Sequence, residues 1–191
     1  VLELKPYQVE NIQCMVKLDA MENPYHLPES LMVKILEGIK RVEINRYPDP
    51  NATKIKNIIA SQNNISADNI IIGNGSDELI QLILTTFGES GDNVLFPIPT
   101  FSMYGIISKS LSLKTEVVPL DESWELPLDK FLHEIERVKA KVIFISYPNN
   151  PTGNCFNSES ILKILQKAEG IVVIDEAYYD FSRKTFLPYL K

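Results

Sequence analysis

Four places in this 191-residue chain set polar side chains directly after short apolar runs, an arrangement that puts chemistry at the ends of buried strands. The sharpest is IVVIDEAYYD, residues 171–180. Ile171 to Ile174 show no polar alternation and predict a strand buried on both faces, yet the run ends on Asp175. A carboxylate there is costly unless a cation or a hydrogen-bond donor meets it. Capping of the following segment is the plainer role for Asp175. In IIIGNGSDELI, residues 70–80, Gly73 and Gly75 permit a tight turn from strand to helix. The backbone N–H groups of Ser76, Asp77 and their neighbours would be left free at the helix start, a natural phosphate cradle. A plain turn capped by Ser76 or Asp77 explains the same residues.

The other two stretches follow the same logic. In FPIPTFSMYG, residues 96–105, the prolines force an extended exit before a helix, and Phe101 and Tyr104 fall on one face of it. That spacing suits core packing, or an aromatic ring laid on a flat ligand. SYPNNPTGN, residues 146–154, is too polar and proline-rich for packing alone. Asn149 and Asn150 can both donate and accept hydrogen bonds, and an Asn-Pro bond tolerates the cis form.

The elements that must position these residues alternate. Residues 69–72, 93–96, 115–118, 141–146 and 171–175 are Val/Ile-rich candidate strands. Between them lie helical patterns over 77–87, 101–111, 130–138 and 159–167, with Asp129 and Ser158 as N-caps of the last two. Alternation of this kind predicts an α/β fold, a mostly parallel sheet with helices on both faces. Residues 1–65 differ: Pro24, Pro28, Pro48 and Pro50 break them into an arm, helices near 29–41 and 52–62, and the loop NRYPDPN. They read as an N-terminal arm and linker helices without a core of their own, ahead of a larger domain over 66–191.

Composition narrows the function classes. The chain is 45% hydrophobic and 23% charged, an ordinary globular balance, and its net charge of -6 argues against a nucleic-acid surface. No run of about 18 apolar residues predicts a membrane span. The start, VLELKPYQVE, has no apolar signal core, and Cys14 and Cys155 have no metal-ligand spacing, which fits two inert thiols in a reducing cytoplasm. A strand ending in Asp-Glu also suggests the magnesium-binding strand of phosphate-loop ATPases. That reading needs a G-x-x-x-x-G-K-[ST] loop, and GNGSDELI has no lysine in the required place.

Together the motifs resemble fold-type I pyridoxal-phosphate enzymes, specifically the histidinol-phosphate aminotransferase family. The resemblance runs in order through ENPY (22–25), RYPD (46–49), GNGSDE (73–78), PTFSMY (99–104), Ser123–Trp124, YPNNPTG (147–153) and VIDEAYYDF (173–181). It implies pyridoxal 5'-phosphate as cofactor, with Asp175 paired to the pyridine nitrogen and Tyr178 and Asn150 at the ring hydroxyl oxygen. It implies Tyr104 stacked on the ring face and the N–H groups of Ser76 and Asp77 on the phosphate. Tyr47 would reach the phosphate of a neighbouring subunit in a homodimer, and Asn23 would touch substrate. The implied reaction moves an amino group between glutamate and a phosphorylated partner, imidazole-acetol phosphate or histidinol phosphate, a step of histidine biosynthesis.

One departure matters. The family's catalytic lysine sits in a Ser-Lys segment after the next strand, and neither Lys184 nor Lys191 has that context. The resemblance therefore implies a fragment: a large domain truncated before its last strands and small domain, inactive alone, with residues 69–72 lacking a strand partner. A threonine-phosphate decarboxylase or an aromatic aminotransferase of the same fold, or a non-catalytic cofactor-binding subunit, are the competing expectations. Glu176 has no assigned role.

Overall fold

The computed structural model describes residues 22–190, so Cys14, Lys191 and the first part of the predicted arm lie outside the described residues. These residues form two compact units that meet in the chain between Ile72 and Gly73. The first holds α1 (Glu29–Ile39), α2 (Thr53–Asn63) and a short 3-10 turn over Ala67–Asn69. Its described residues bury only Ala60 and Ile70, and α1 buries none, with Leu31, Met32, Ile35, Leu36 and Ile39 all exposed. Asp49 of RYPD starts α2, accepting from the N–H groups of Asn51 at 3.0 Å and Thr53 at 2.8 Å.

Residues 69–72 do not form the expected strand: after the 3-10 turn, Ile70 is extended and Ile70–Ile72 enter no ladder. An apolar run has the propensity for a strand, but a strand exists only where a partner takes its backbone groups. The unit boundary accordingly falls at 72/73, because these residues stay with the turn that follows α2.

The second unit contains the sheet. Its order is β1 (Asn93–Ile98), β2 (Lys114–Pro119), β3 (Val142–Ser146) and β4 (Ile171–Asp175) in sequence, and β2-β1-β3-β4 in space, every pair parallel. Helices α3 (Ser76–Phe87), α4 (Met103–Ser110), α5 (Leu128–Val138) and α6 (Ser158–Lys167) alternate with the strands. Both faces are covered. Val142 and Phe144 of β3 pack with Ile80 and Leu84 of α3 and Ile107 of α4, whereas Ile143 and Ile145 pack with Phe131 and Ile135 of α5 and Ile161 and Ile164 of α6. That is why β3 reads as an unbroken apolar run: all five of its residues are buried.

β4 departs from expectation. It is the last strand of the sheet, its residues are half-buried, and Ile171 is exposed. Val173 packs against one core and Val172 and Ile174 against the other, but the edge position leaves each only partly covered. Its register nonetheless sets Asp175 opposite Ser146, beside the tip of β3.

The connections set where a ligand crevice can form. From β1 the chain steps to β2 on one side, then crosses back past β1 to β3 on the other. Helices leaving neighbouring strands in opposite directions open a crevice at the strands' carboxyl ends, here between β1 and β3.

Candidate functional site

The carboxyl ends of β1 and β3 are joined by one side chain. Asn149 is 2% exposed. Its Nδ2 donates to the Pro99 carbonyl at 3.0 Å and to Thr152 Oγ1 at 2.7 Å, and its Oδ1 accepts from the Thr100 hydroxyl at 2.9 Å. Thr152 in turn donates to Asn154 Oδ1, and Asn154 Nδ2 donates to the Trp124 carbonyl at 2.9 Å. Both donors of the buried Asn149 amide and its oxygen are thus engaged by the protein, and the amide holds the loops after β1 and β3 in place. Asn150, half-buried, faces elsewhere: its Nδ2 donates to the Tyr178 hydroxyl at 3.3 Å. The Asn150–Pro151 bond is cis.

Asp175 ends β4 beside this loop, with the Tyr147 N–H donating to its carbonyl at 2.8 Å. One carboxylate oxygen, Oδ2, accepts from the Tyr104 hydroxyl at 2.7 Å, and Oδ1 accepts from the Ala177 N–H at 3.0 Å. A carboxylate offers about four lone-pair sites, so each oxygen keeps capacity for a further donor. Asp175, Tyr178 and Asn150 therefore form a half-buried polar rim that can receive a cationic N–H next to a second polar group.

Tyr104 corrects the reading from sequence. It is fully buried, its ring stacked on Phe144 with centroids 4.6 Å apart and planes 7° from parallel, so it has no face left for a ligand. The cause lies in the neighbouring strand: α4 packs on the sheet face that carries Phe144 of β3, and the Tyr104 ring is taken up there. Burial, reinforced by the Asp175 charge, pushes the Tyr104 phenol far above its usual value, so it stays protonated and acts as donor. Phe101 is the ring that remains half-exposed, edge-on to Tyr104 at 5.6 Å and 85°.

Helix α3 reaches the same end of the sheet. It is joined to the start of β1 by the short segment 88–92 and packs along the strand, so its N-terminus lies toward the strand's carboxyl end. Its N-cap is Gly75, at φ 85° and ψ 172°, and no side chain caps it. The first N–H groups of a helix have no intrahelical acceptor, so those of Ser76 and Asp77 are open to an anion. The Asn74 N–H is already taken, since it donates to the Glu78 carboxylate.

The remaining sequence candidates lie in the first unit. Tyr47 is fully exposed, and the Asn23 Oδ1 accepts from the Tyr25 N–H at 3.0 Å. Glu176, unassigned from sequence, accepts from the Thr185 hydroxyl at 2.7 Å and from the Phe186 N–H, fastening the segment after α7 (Tyr179–Ser182) to the tip of β4. Only its partners nine and ten residues on reveal this role. Among the described residues no cluster of His, Cys, Asp and Glu could hold a metal ion, and no helix is long and apolar enough to cross a membrane.

A flat, phosphorylated pyridine fits these groups by type. The donor-held carboxylate suits a protonated ring nitrogen, the Tyr178–Asn150 pair suits a ring oxygen, and the uncapped helix suits a phosphate. Parallel sheet and strand-end rim together define a class, and comparison with known proteins specifies it. Residues 14–190 match the family described as aminotransferase class I and II, and the chain belongs to that family. The histidinol-phosphate aminotransferase of Caldanaerobacter subterraneus subsp. tengcongensis is 43% identical over 186 residues, covering 97% of this chain and 53% of the relative. The chain thus spans about half the length of the curated relatives it matches. The crystal structure of the histidinol-phosphate aminotransferase from Clostridium acetobutylicum superposes with a TM-score of 0.74 at 29% identity, over 87% of this chain and 49% of that one. The enzyme from Sinorhizobium meliloti, solved in complex with pyridoxal-5'-phosphate, shares the fold with a TM-score of 0.71 at 24% identity, over 79% of this chain and 41% of that one.

Proposed function

We propose that this chain supplies the cofactor clamp of a pyridoxal-phosphate-dependent aminotransferase that exchanges an amino group between glutamate and imidazole-acetol phosphate or histidinol phosphate, in histidine biosynthesis. The observation that carries the reading is Asp175, held at a strand tip by two donors with lone pairs to spare, beside Tyr178 and Asn150. Pyridoxal 5'-phosphate, when bound, would supply an aldehyde that takes up and hands on an amino group and a protonated ring that serves as electron sink. Asp175 keeps the ring nitrogen protonated by lying next to that proton. Tyr178 and Asn150 stabilise negative charge on the ring oxygen. The N–H groups of Ser76 and Asp77 bind the phosphate, aided by the positive end of the α3 dipole. Phe101, with its ring half-exposed, covers one face of the cofactor in the place first given to Tyr104.

The assembly and location belong to the same reading. The protein works as a cytoplasmic homodimer, in which Tyr47 of one subunit reaches the phosphate held by the other and Asn23 contacts substrate. It takes small phosphorylated amines and glutamate as partners, and neither nucleic acid nor membrane. Neither Lys184 nor Lys191 stands in the family's Ser-Lys context, so these 191 residues by themselves are expected not to turn over. Two assays test this. The purified chain with pyridoxal phosphate, glutamate and imidazole-acetol phosphate is expected to give no product, and sustained turnover contradicts the assignment of the lysine. A longer form carrying a Ser-Lys segment is expected to use histidinol phosphate with 2-oxoglutarate and to leave threonine phosphate untouched; decarboxylation of the latter overturns the substrate class.

A further inference from the structure

We propose that Tyr104 is the positioning residue for Asp175: its hydroxyl, fixed by the aromatic core, sets the plane of the carboxylate that meets the cofactor. Two bonds hold that carboxylate, one from Tyr104 to Oδ2 at 2.7 Å and one from the Ala177 N–H to Oδ1 at 3.0 Å. They differ in kind. The Ala177 donor sits in the exposed turn directly after β4 and moves with it, whereas the Tyr104 donor comes from α4, 71 residues away in sequence. Only the second ties the side chain to the rest of the core.

The ring holding that hydroxyl is immobile for a physical reason. Tyr104 is fully buried, stacked on Phe144 at 4.6 Å, with Phe101 edge-on at 5.6 Å and Phe96 tilted at 6.0 Å. Turning the hydroxyl away from Asp175 would require three rings to repack in an interior as dense as a crystal. A carboxylate on an edge strand with one local bond would otherwise sample several rotamers, and each rotamer outside the productive one weakens binding in proportion to its population. Tyr104 touches neither cofactor nor substrate in this account; it acts through Asp175.

The inference rests on the reading of Asp175 as the partner of the ring nitrogen, and the experiment separates the two. Pyridoxamine 5'-phosphate, which needs no lysine bond, is titrated by calorimetry into the full chain as wild type, Tyr104→Phe, Asp175→Ala and the double variant. Phenylalanine keeps the ring stack and removes only the hydroxyl. Tyr104→Phe is expected to weaken binding about 10-fold, Asp175→Ala about 100-fold, and the double variant no more than Asp175→Ala alone. Equal weakening by Tyr104→Phe in both backgrounds overturns the positioning role and leaves the Asp175 reading intact. Unchanged affinity in Asp175→Ala, or no binding by the wild type, overturns the reading of the site. A ligand-free measurement then decides the positioning role alone. In Tyr104→Phe, hydrogen exchange at the Ala177 amide is expected to quicken about 10-fold while Val173 within β4 holds its rate. An unchanged Ala177 rate, or acceleration along the whole strand, contradicts it.

Discussion

The tips of β3 and β4 lie side by side in the sheet, yet they use their polar side chains in opposite ways. At the tip of β3, Asn149 is buried and both ends of its amide are occupied by Pro99, Thr100 and Thr152. At the tip of β4, Asp175 is half-buried, and each carboxylate oxygen has accepted a single bond. The difference separates polar residues that build a site from polar residues that serve it. A buried group whose donors are all taken by its own protein can only fix geometry; a half-buried one with lone pairs free can meet a ligand.

The sharpest break of this comparison is Asn149→Ala. It strands the Thr100 hydroxyl and the Pro99 carbonyl, and removal of one member of a buried network should cost about 3 kcal/mol of stability, read as a lowered urea midpoint. Stability unchanged from wild type means that the β3 tip is not a structural clamp. Next comes Gly75→Ala. At φ 85° and ψ 172° the residue occupies a region open to glycine alone, so a loss of about 2 kcal/mol is expected, with weaker binding of inorganic phosphate. A neutral effect on both places the anion elsewhere than the start of α3. Tyr178→Phe belongs to the serving side: stability should stay within about 0.5 kcal/mol of wild type, while affinity for pyridoxamine phosphate falls a few-fold. A variant that loses stability but, while folded, binds as wild type reverses that assignment.

The smallest effect concerns the first unit. Hydrogen bonds from Thr53, side chain and backbone, hold the Asp49 carboxyl below its ordinary value of 3.8. A depressed carboxylate stabilises the fold above its unfolded value and loses that contribution as pH falls through the folded one. The Thr53 amide resonance should therefore keep its position at neutral pH and shift only below about pH 3.8. A midpoint at or above that value removes Asp49 as the acceptor that holds the start of α2.

How far sequence alone reached follows the same division. Strands β1 to β4 were legible because β-branched runs between polar turns dictate them locally, and β3, buried on both faces, was the plainest. Helix starts were off by a residue or two: α5 begins behind Pro127 rather than Asp129, and Asn157 rather than Ser158 caps α6, its Oδ1 accepting from the Ser160 N–H at 3.1 Å. Which of Phe101 and Tyr104 is buried was not legible, because the answer is set by Phe144, forty residues on and across the sheet. By residue type Asn149 and Asn150 were alike, and only the resemblance singled out Asn150; the approach of Pro99 and Thr100 is what engages the Asn149 amide and leaves Asn150 to Tyr178. Residues 69–72 show the converse limit: local propensity was present and the pairing partner was not.

The account stands on Asp175 as a charged group waiting for a protonated ring nitrogen. The direct measurement is the affinity of pyridoxamine 5'-phosphate for wild type and Asp175→Asn, with thermal midpoints taken alongside. Asparagine keeps the shape and removes the charge, so the account predicts about 100-fold weaker binding with a melting temperature close to wild type. Equal affinity in the two proteins would contradict it.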